Sequence, residues 1–239
     1  MTAPAFTHLA TAGSTNDWLL ERAAGLADGH WVIADRQTAG RGRRGRAWGD
    51  GAGNLMASVI VRAEGAVQQL SFVAALALLD ALEAGQEQGS ETPASRFWLK
   101  WPNDVLLDGA KVSGILLERT GNALVVGFGA NLATHPGDTE RPATSLAAAG
   151  LGIPAPLDVL SRLMPAFAHY RRLWEDQGFE AIRKRWLPRA VGLGERVTAR
   201  LDIETLEGRF EGLAADGALT LRTDDDSLRA IHAGEVFAL

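Results

Sequence analysis

Apolar positions along this chain change their period several times, and each change marks an element. "LSFVAALALLDALEAG" (70–85) is apolar nearly all round, the pattern of a helix buried on every side. Upstream, Ser14-Thr15-Asn16-Asp17 puts an N-cap hydroxyl ahead of "WLLERAAGL" and predicts a helix start. Near-continuous apolar runs in "HWVIADRQ" (30–37), "LMASVIVR" (55–62) and "ALVVGFGANL" (123–132) predict buried strands. "RFWLKWPND" (96–104) reads as a strand entering a proline-fixed turn. "DVLLDGAKVSGILLE" (104–118) reads as a hairpin, because Asp108-Gly109 suits a type I′ turn. A long helix is predicted from about Leu157 to Gln177 and a shorter one around Phe179–Trp186.

After Pro188 the period shortens. Alternating stretches separated by glycine or Asp-Gly turns fill "GERVTARLDIETLEGRFEGLAADGALTLRTDDDSLRAIHAGEVFAL", the pattern of a small β-barrel-like module. The chain thus divides into a larger unit, residues 1–190, and a smaller one, 191–239. In the larger unit helices mix with hairpin-connected strands, without strict strand–helix–strand alternation. That order predicts an α+β fold, a mixed sheet flanked by helices.

Composition narrows the function. With 46% apolar and 22% charged residues among 239, the chain has the make-up of a soluble globular protein. No apolar run approaches the ~18–20 residues that span a bilayer, so no membrane partner is expected. No secretory signal is visible in "MTAPAFTHLATAGSTND", and a cytoplasmic location follows as the default. The absence of cysteine excludes a disulfide framework, a thiolate zinc site and a cysteine nucleophile. The five histidines show no metal-ligand pairing, and no metal site is predicted from side chains. Asp224-Asp225-Asp226 reads as a solvated turn. The net charge of −5 argues against duplex nucleic acid as the main ligand, whereas the local arginine cluster suggests a small anion held at one site.

That cluster is "AGRGRRGRAW" (39–48). Gly40, Gly42 and Gly45 fit the glycine spacing of a dinucleotide-binding turn, and Glu64 stands at about the distance of its acid. However, "RAWGDGAGN" (46–54) is too glycine-rich for the required crossover helix, and the fingerprint fails on context. Alternate glycines would let the backbone approach a ligand, and arginines between them offer forks for phosphate or carboxylate. A solvated flexible loop is the bland alternative. A single-strand nucleic-acid module, with Trp48 stacking on a base, is the alternative from another class.

"KWPNDVLLDGAKVSGILLE" (100–118) sharpens the choice. Alone, it could be a solvated turn with two lysines. "GRGRRGRxW" followed by "KWPNDxxxxxxKxxGILxE" resembles the biotin–protein ligases. Ser14-Thr15-Asn16, Gln37, "GAGNLMAS" (51–58), "GFGAN" (127–131), "ATSL" (143–146) and the C-terminal "GALTL…GEV" extend the likeness along most of the chain. The resemblance implies a catalytic domain like those of class II aminoacyl-tRNA synthetases, followed by a small SH3-like β-barrel. It also implies activation of biotin by ATP and Mg²⁺ to biotinyl-5′-AMP, then transfer to a lysine of a biotin carboxyl carrier protein. The related lipoate–protein ligases are the nearest enzyme alternative. Only about a dozen residues precede Ser14, too few for the DNA-binding unit of repressor-type members, so no DNA partner is expected. A homodimer stays open, because a dimerising strand reads like any other.

The resemblance also implies site roles. Ser14, Thr15, Asn16, Gln37, Gly40, Arg41, Gly42, Arg43, Lys111, Gly114 and Gly127 would bind biotin. Arg43, Arg46, Trp48, Lys100, Asn103, Lys111 and Asn131 would bind ATP. Lys111, Arg43 and Lys100 supply catalytic cations, and Asp104 would orient the acceptor amine or take its proton. Gly40 and Arg41 would close the loop over biotin, with Trp48 packing on that lid. The other six tryptophans (Trp18, Trp31, Trp98, Trp101, Trp174, Trp186) fit apolar faces, with a supporting role at the border of the site as the alternative for Trp98 and Trp101.

Overall fold

Buried apolar runs become the centre of a seven-stranded sheet. A computed structural model describes residues 6–238 apart from 50, 64, 87–94, 138, 140 and 202. The strands are β1 (Phe6–Leu9), β2 (Trp31–Ala34), β3 (Leu55–Val61), β4 (Phe97–Lys100), β5 (Asp104–Leu107), β6 (Ala110–Thr120) and β7 (Ala123–Ala130), ordered β1-β2-β3-β7-β6-β5-β4. Only β1 and β2 run parallel, so the sheet is mixed. Asp108 and Gly109 turn β5 into β6 with φ of 50° and 81°, as their type I′ reading requires.

One face of the sheet is dry. Helices α2 (Leu70–Glu83) and α3 (Pro156–Gln177) pack on it with α4 (Phe179–Trp186), burying Ile33, Ala57, Val59, Leu99, Val126 and Phe128. Trp31 stacks on Phe128 at 5.4 Å, and Phe167 of α3 meets both rings edge-on. On the opposite face helix α1 (Thr15–Arg22) covers one end, where Leu19 seats on Val32, Ile60 and Val125. Ser14 caps α1 through its hydroxyl, which accepts from the Asp17 amide at 3.4 Å. The middle of that second face is left to glycines and polar side chains.

The smaller unit is an antiparallel sheet of β8 (Arg196–Arg200), β9 (Thr205–Leu213), β10 (Leu219–Arg222), β11 (Leu228–Ile231) and β12 (Glu235–Ala238), ordered β11-β10-β9-β8-β12. It is fastened to the larger unit by hydrogen bonds. Trp101 Nε1 donates to the Gly217 carbonyl at 3.1 Å, Gln69 Nε2 to Ala215 at 2.9 Å, and the Val191 amide to Leu99 at 2.9 Å. This docking brings β12 against the open face of the large sheet.

Three expectations need adjustment. Strand β1 was not anticipated, because an edge strand with alternating exposed and half-buried residues gives no apolar run. Trp98 is 40% exposed on edge strand β4 and does not fill an apolar face. Gln37 lies beyond β2, which ends at Ala34, and joins Ala12 in an isolated parallel bridge. No helix opens after the arginine loop: residues 43–45 form one 3-10 turn, and the described residues from 46 to 54 carry no helix. Glu64 lies outside the described residues. Among those residues, no helix is long and apolar enough to cross a membrane.

Candidate active site

The site begins with missing side chains. On the open face, β7 presents Gly127 and Gly129, and Gly114 of β6 pairs with Gly129. A Cβ at Gly127 would collide with the Asn16 amide, and one at Gly129 with the Trp48 indole. Backbone alone therefore floors a cavity of about 620 Å³, within the range that encloses small-molecule ligands.

At one end of the floor stands a neutral, buried network. Gln37 Oε1 accepts from the Thr15 amide at 2.7 Å and from the Thr15 hydroxyl at 3.0 Å. Ser58, fully buried on β3, has its hydroxyl 2.7 Å from Thr15 Oγ1 and 2.6 Å from Asn16 Oδ1. Asn16 Nδ2 donates to Glu118 at 2.7 Å. Arg41 completes the wall by pairing with Asp17 through both terminal nitrogens and with Glu118 at 3.0 Å. The Asp17 hydrogen bond raises the Arg41 pKa, and the same bond holds the Asp17 carboxyl below its ordinary value.

The arginine loop crosses the cavity as a small hairpin. Trp48 N donates to Gly40 O at 2.9 Å and Gly42 N to Arg46 O at 2.7 Å; Arg44 (φ 58°) and Gly45 (φ 71°) turn the tip. A Cβ at Gly40 would stand 2.8 Å from the Gln37 amide nitrogen, so a larger residue would lift the loop off that network. The hairpin aims Arg43 inward, where Nη1 donates to Asn103 Oδ1 at 3.2 Å. Burial lowers the Arg43 pKa, but a guanidinium stays charged at neutral pH.

Cations collect at this second end. Lys111 Nζ pairs with Asp104 at 2.7 Å, and its backbone is bracketed by Pro142 O and Thr144 N at 2.9 Å each. Lys100 forms no hydrogen bond or ion pair among the described residues; its Nζ faces the Phe237 ring at 5.7 Å. Burial pushes Lys100 down to about 8, and the neighbouring Arg141 charge adds to the shift. From β12, Glu235 accepts from Arg46 and, at 2.6 Å, from Arg141. Burial works to raise the Glu235 carboxyl, but the two arginines outweigh it and hold it low.

The predicted residues thus converge on one cavity with different tasks. Thr15, Asn16, Gln37, Arg43, Lys100, Asn103, Asp104, Lys111, Gly114, Gly127 and Asn131 line it, as do Arg46 and Trp48. Gly40 and Gly42 serve the hairpin, and the Ser14 hydroxyl, also on the wall, caps α1. The Arg41 side chain is held by Asp17 and Glu118, and Trp48 lies on the sheet floor as well as in the loop. Asn131 Nδ2 is used on the Thr144 carbonyl at 3.0 Å, which braces the 142–146 segment. Sequence reasoning missed Ser58, Asn54, Glu118, Arg141 and Glu235. Ser58, Asn54, Glu118 and Glu235 stood inside quoted motifs, but Glu235 lies 94 residues from Arg141 and nothing local announced that pairing. Asn54 Oδ1 accepts from the amides of Leu132, Ala133 and Thr134, pinning the loop after β7.

Known proteins resemble this chain in sequence and fold. The profile of the Biotin/lipoate A/B protein ligase family matches residues 10–131, and that of the Biotin protein ligase C terminal domain matches 192–239. The biotin--[acetyl-CoA-carboxylase] ligase of Paracoccus denitrificans is 45% identical over 96% of this chain and 98% of its own length. The Mycobacterium tuberculosis enzyme of the same name is 36% identical over 81% of this chain and 73% of its own. The biotin protein ligase of Aquifex aeolicus in complex with biotin and ATP superposes with a TM-score of 0.85 at 29% identity, covering 98% of this chain and 99% of that one.

Proposed function

This chain belongs to the biotin/lipoate A/B protein ligase family, and we propose that its cavity joins biotin to ATP and hands the activated biotin to a lysine. It is an ATP-dependent ligase that biotinylates the biotin carboxyl carrier protein of a carboxylase. One observation carries the reading: a buried neutral network and a cluster of cations share one continuous cavity. Such a cavity suits a ligand with an uncharged polar ring at one end and a carboxylate next to a triphosphate at the other.

In the first half-reaction a carboxylate oxygen of biotin attacks the α-phosphorus, and the bond to the bridging oxygen of pyrophosphate breaks. Two unit charges at ~4 Å repel by about 4 kcal/mol at an effective dielectric of ~20. Lys111 and Arg43 offset that repulsion and hold charge where it grows in the transition state. Asn103 keeps Arg43 aimed, and Thr15, Asn16 and Gln37 take the ureido ring. Lys100 and Arg46 attract the remaining phosphates, and Trp48 walls the adenine side. Both wall carboxylates, Asp104 and Glu235, are held by cations, so Mg²⁺ would come with the triphosphate and its water, and the Asn131 amide oxygen is the wall group that would face its hydration shell. Bound there, the ion supplies further positive charge to the departing pyrophosphate.

In the second half-reaction the neutral acceptor amine attacks the acyl carbon of the mixed anhydride, and AMP leaves. Asp104 receives the amine proton once Lys111 has turned to the phosphate. All these residues fall in 1–190, the catalytic unit of this reading, while 191–239 closes one side of the cavity. Duplex DNA is no partner here: the net charge is −5 and the arginines face a pocket. The test is to incubate the protein with biotin, ATP and Mg²⁺ and seek biotinyl-AMP by mass spectrometry, with lipoate in parallel. A carrier domain added next should gain one biotinyl group. Lipoyl-AMP without biotinyl-AMP would overturn the substrate assignment.

A further inference from the structure

The cavity holds a cation, Arg141, that the chemistry above does not use. Besides Lys111 and Arg43, it is lined by Arg41, Arg44, Arg46, Lys100 and Arg141, against the carboxylates Asp104 and Glu235. Arg141 immediately precedes the segment that brackets Lys111, and Ala143 of that segment bridges Lys111 directly. Its guanidinium lies 4.0 Å from the centroid of the Phe237 ring, a cation–π distance. One terminal nitrogen donates to Glu235 at 2.6 Å, while Nε is buried with no hydrogen-bond partner among the described residues. Lys100 faces the same ring, and no ion pair connects it to any described carboxylate. Lys100, Arg141 and Arg200 thus gather about the Phe237 ring, an arrangement of cations that an anion completes.

Charge and chain direction indicate which anion. Lys111 and Arg43 are the cations that the ligase reading assigns to the carboxylate and the α-phosphate. Arg141 and Arg46 are bridged by the two oxygens of Glu235. A carboxylate spanning two guanidiniums keeps both forks oriented, and guanidinium forks match phosphate oxygens. We propose that Arg141 is a ligand of the terminal phosphates of ATP, and hence of the departing pyrophosphate, and that Glu235 and Phe237 of β12 position it. The proposal rests on the ligase reading.

The test is calorimetric titration of the full-length protein with ATP, inorganic pyrophosphate, AMP and biotin separately. Arg141→Gln should weaken ATP and pyrophosphate at least tenfold and leave AMP and biotin within twofold. Glu235→Gln, acting through the arginines, should raise the KM for ATP severalfold with the KM for biotin unchanged, a split that general loosening would not give. Wild-type affinity for pyrophosphate in Arg141→Gln overturns the proposal, as does an equal loss for all four ligands. A wild-type protein that makes no biotinyl-AMP would instead sink the ligase reading, so the two failures are distinguishable.

Discussion

At one end of the cavity Thr15, Asn16, Gln37 and Ser58 are buried and hydrogen-bonded to one another, and Glu118 ties them to Arg41. At the other end Arg43, Lys100 and Lys111 are half-buried cations, and Lys100 makes no ion pair among the described residues. The neutral end is built before a ligand arrives, and an incoming ring must exchange bonds with a network already satisfied. Buried polar groups without partners are costly, so such a network favours a ligand that returns every bond. The charged end is incomplete in the sense that its cations outnumber its acids. Shape and hydrogen-bond matching thus reside at one end, and attraction and chemistry at the other.

The contrast can be broken most severely at Lys111. Lys111→Ala should lower the rate of adenylate formation by about 10²–10³-fold, the usual cost of one preorganised electrostatic group. Single-turnover assays should find biotin binding largely kept. Arg43→Gly should act differently. Loss of a charge-assisted contact worth ~1.5–3 kcal/mol would speed escape of biotinyl-AMP some ten- to a hundredfold. Because that anhydride acylates free amines, bystander proteins should become biotinylated; unchanged retention would refute the loop's role as a lid.

At the neutral end the effects should be smaller and confined to affinity. Ser58→Ala removes a hydroxyl shared by Thr15 and Asn16 and should raise the KM for biotin about 2–10-fold with kcat nearly constant, from ~0.5–1.5 kcal/mol per bond. A fall in kcat of similar size would mean that the two ends are not separable. The mildest expected change is with pH. Lys100 is charged below its pKa of about 8 and neutral above it, so ATP binding should weaken a few-fold between pH 7 and 9. A bound polyanion favours the charged form and shifts the loss upward. Lys100→Gln should flatten the profile; an unchanged slope would assign the titration elsewhere.

How much of this was legible in the sequence follows the same division. The hairpin at Asp108-Gly109, helix α2 and the cationic loop were readable because turn chemistry, apolar period and clustered charge are local signals. Most neutral-end residues were found through motif likeness, yet Ser58 and Glu118 were passed over because their partners lie tens of residues away. Strand β1 left no signal, since an edge position relaxes the need for an apolar run. Trp98 misled for the opposite reason: its apolar character invited burial that an edge strand does not provide.

The glycine floor sets a limit on how this cavity can change. Because Gly114, Gly127 and Gly129 already expose bare backbone, no substitution there can deepen the pocket; each can only add atoms against Trp48 or Asn16. Room for a bulkier acid would have to come from the rim, at Trp48 or along the arginine hairpin. Drift at the floor therefore runs in one direction, toward exclusion, and a lineage seeking new substrates would leave its record in the loops.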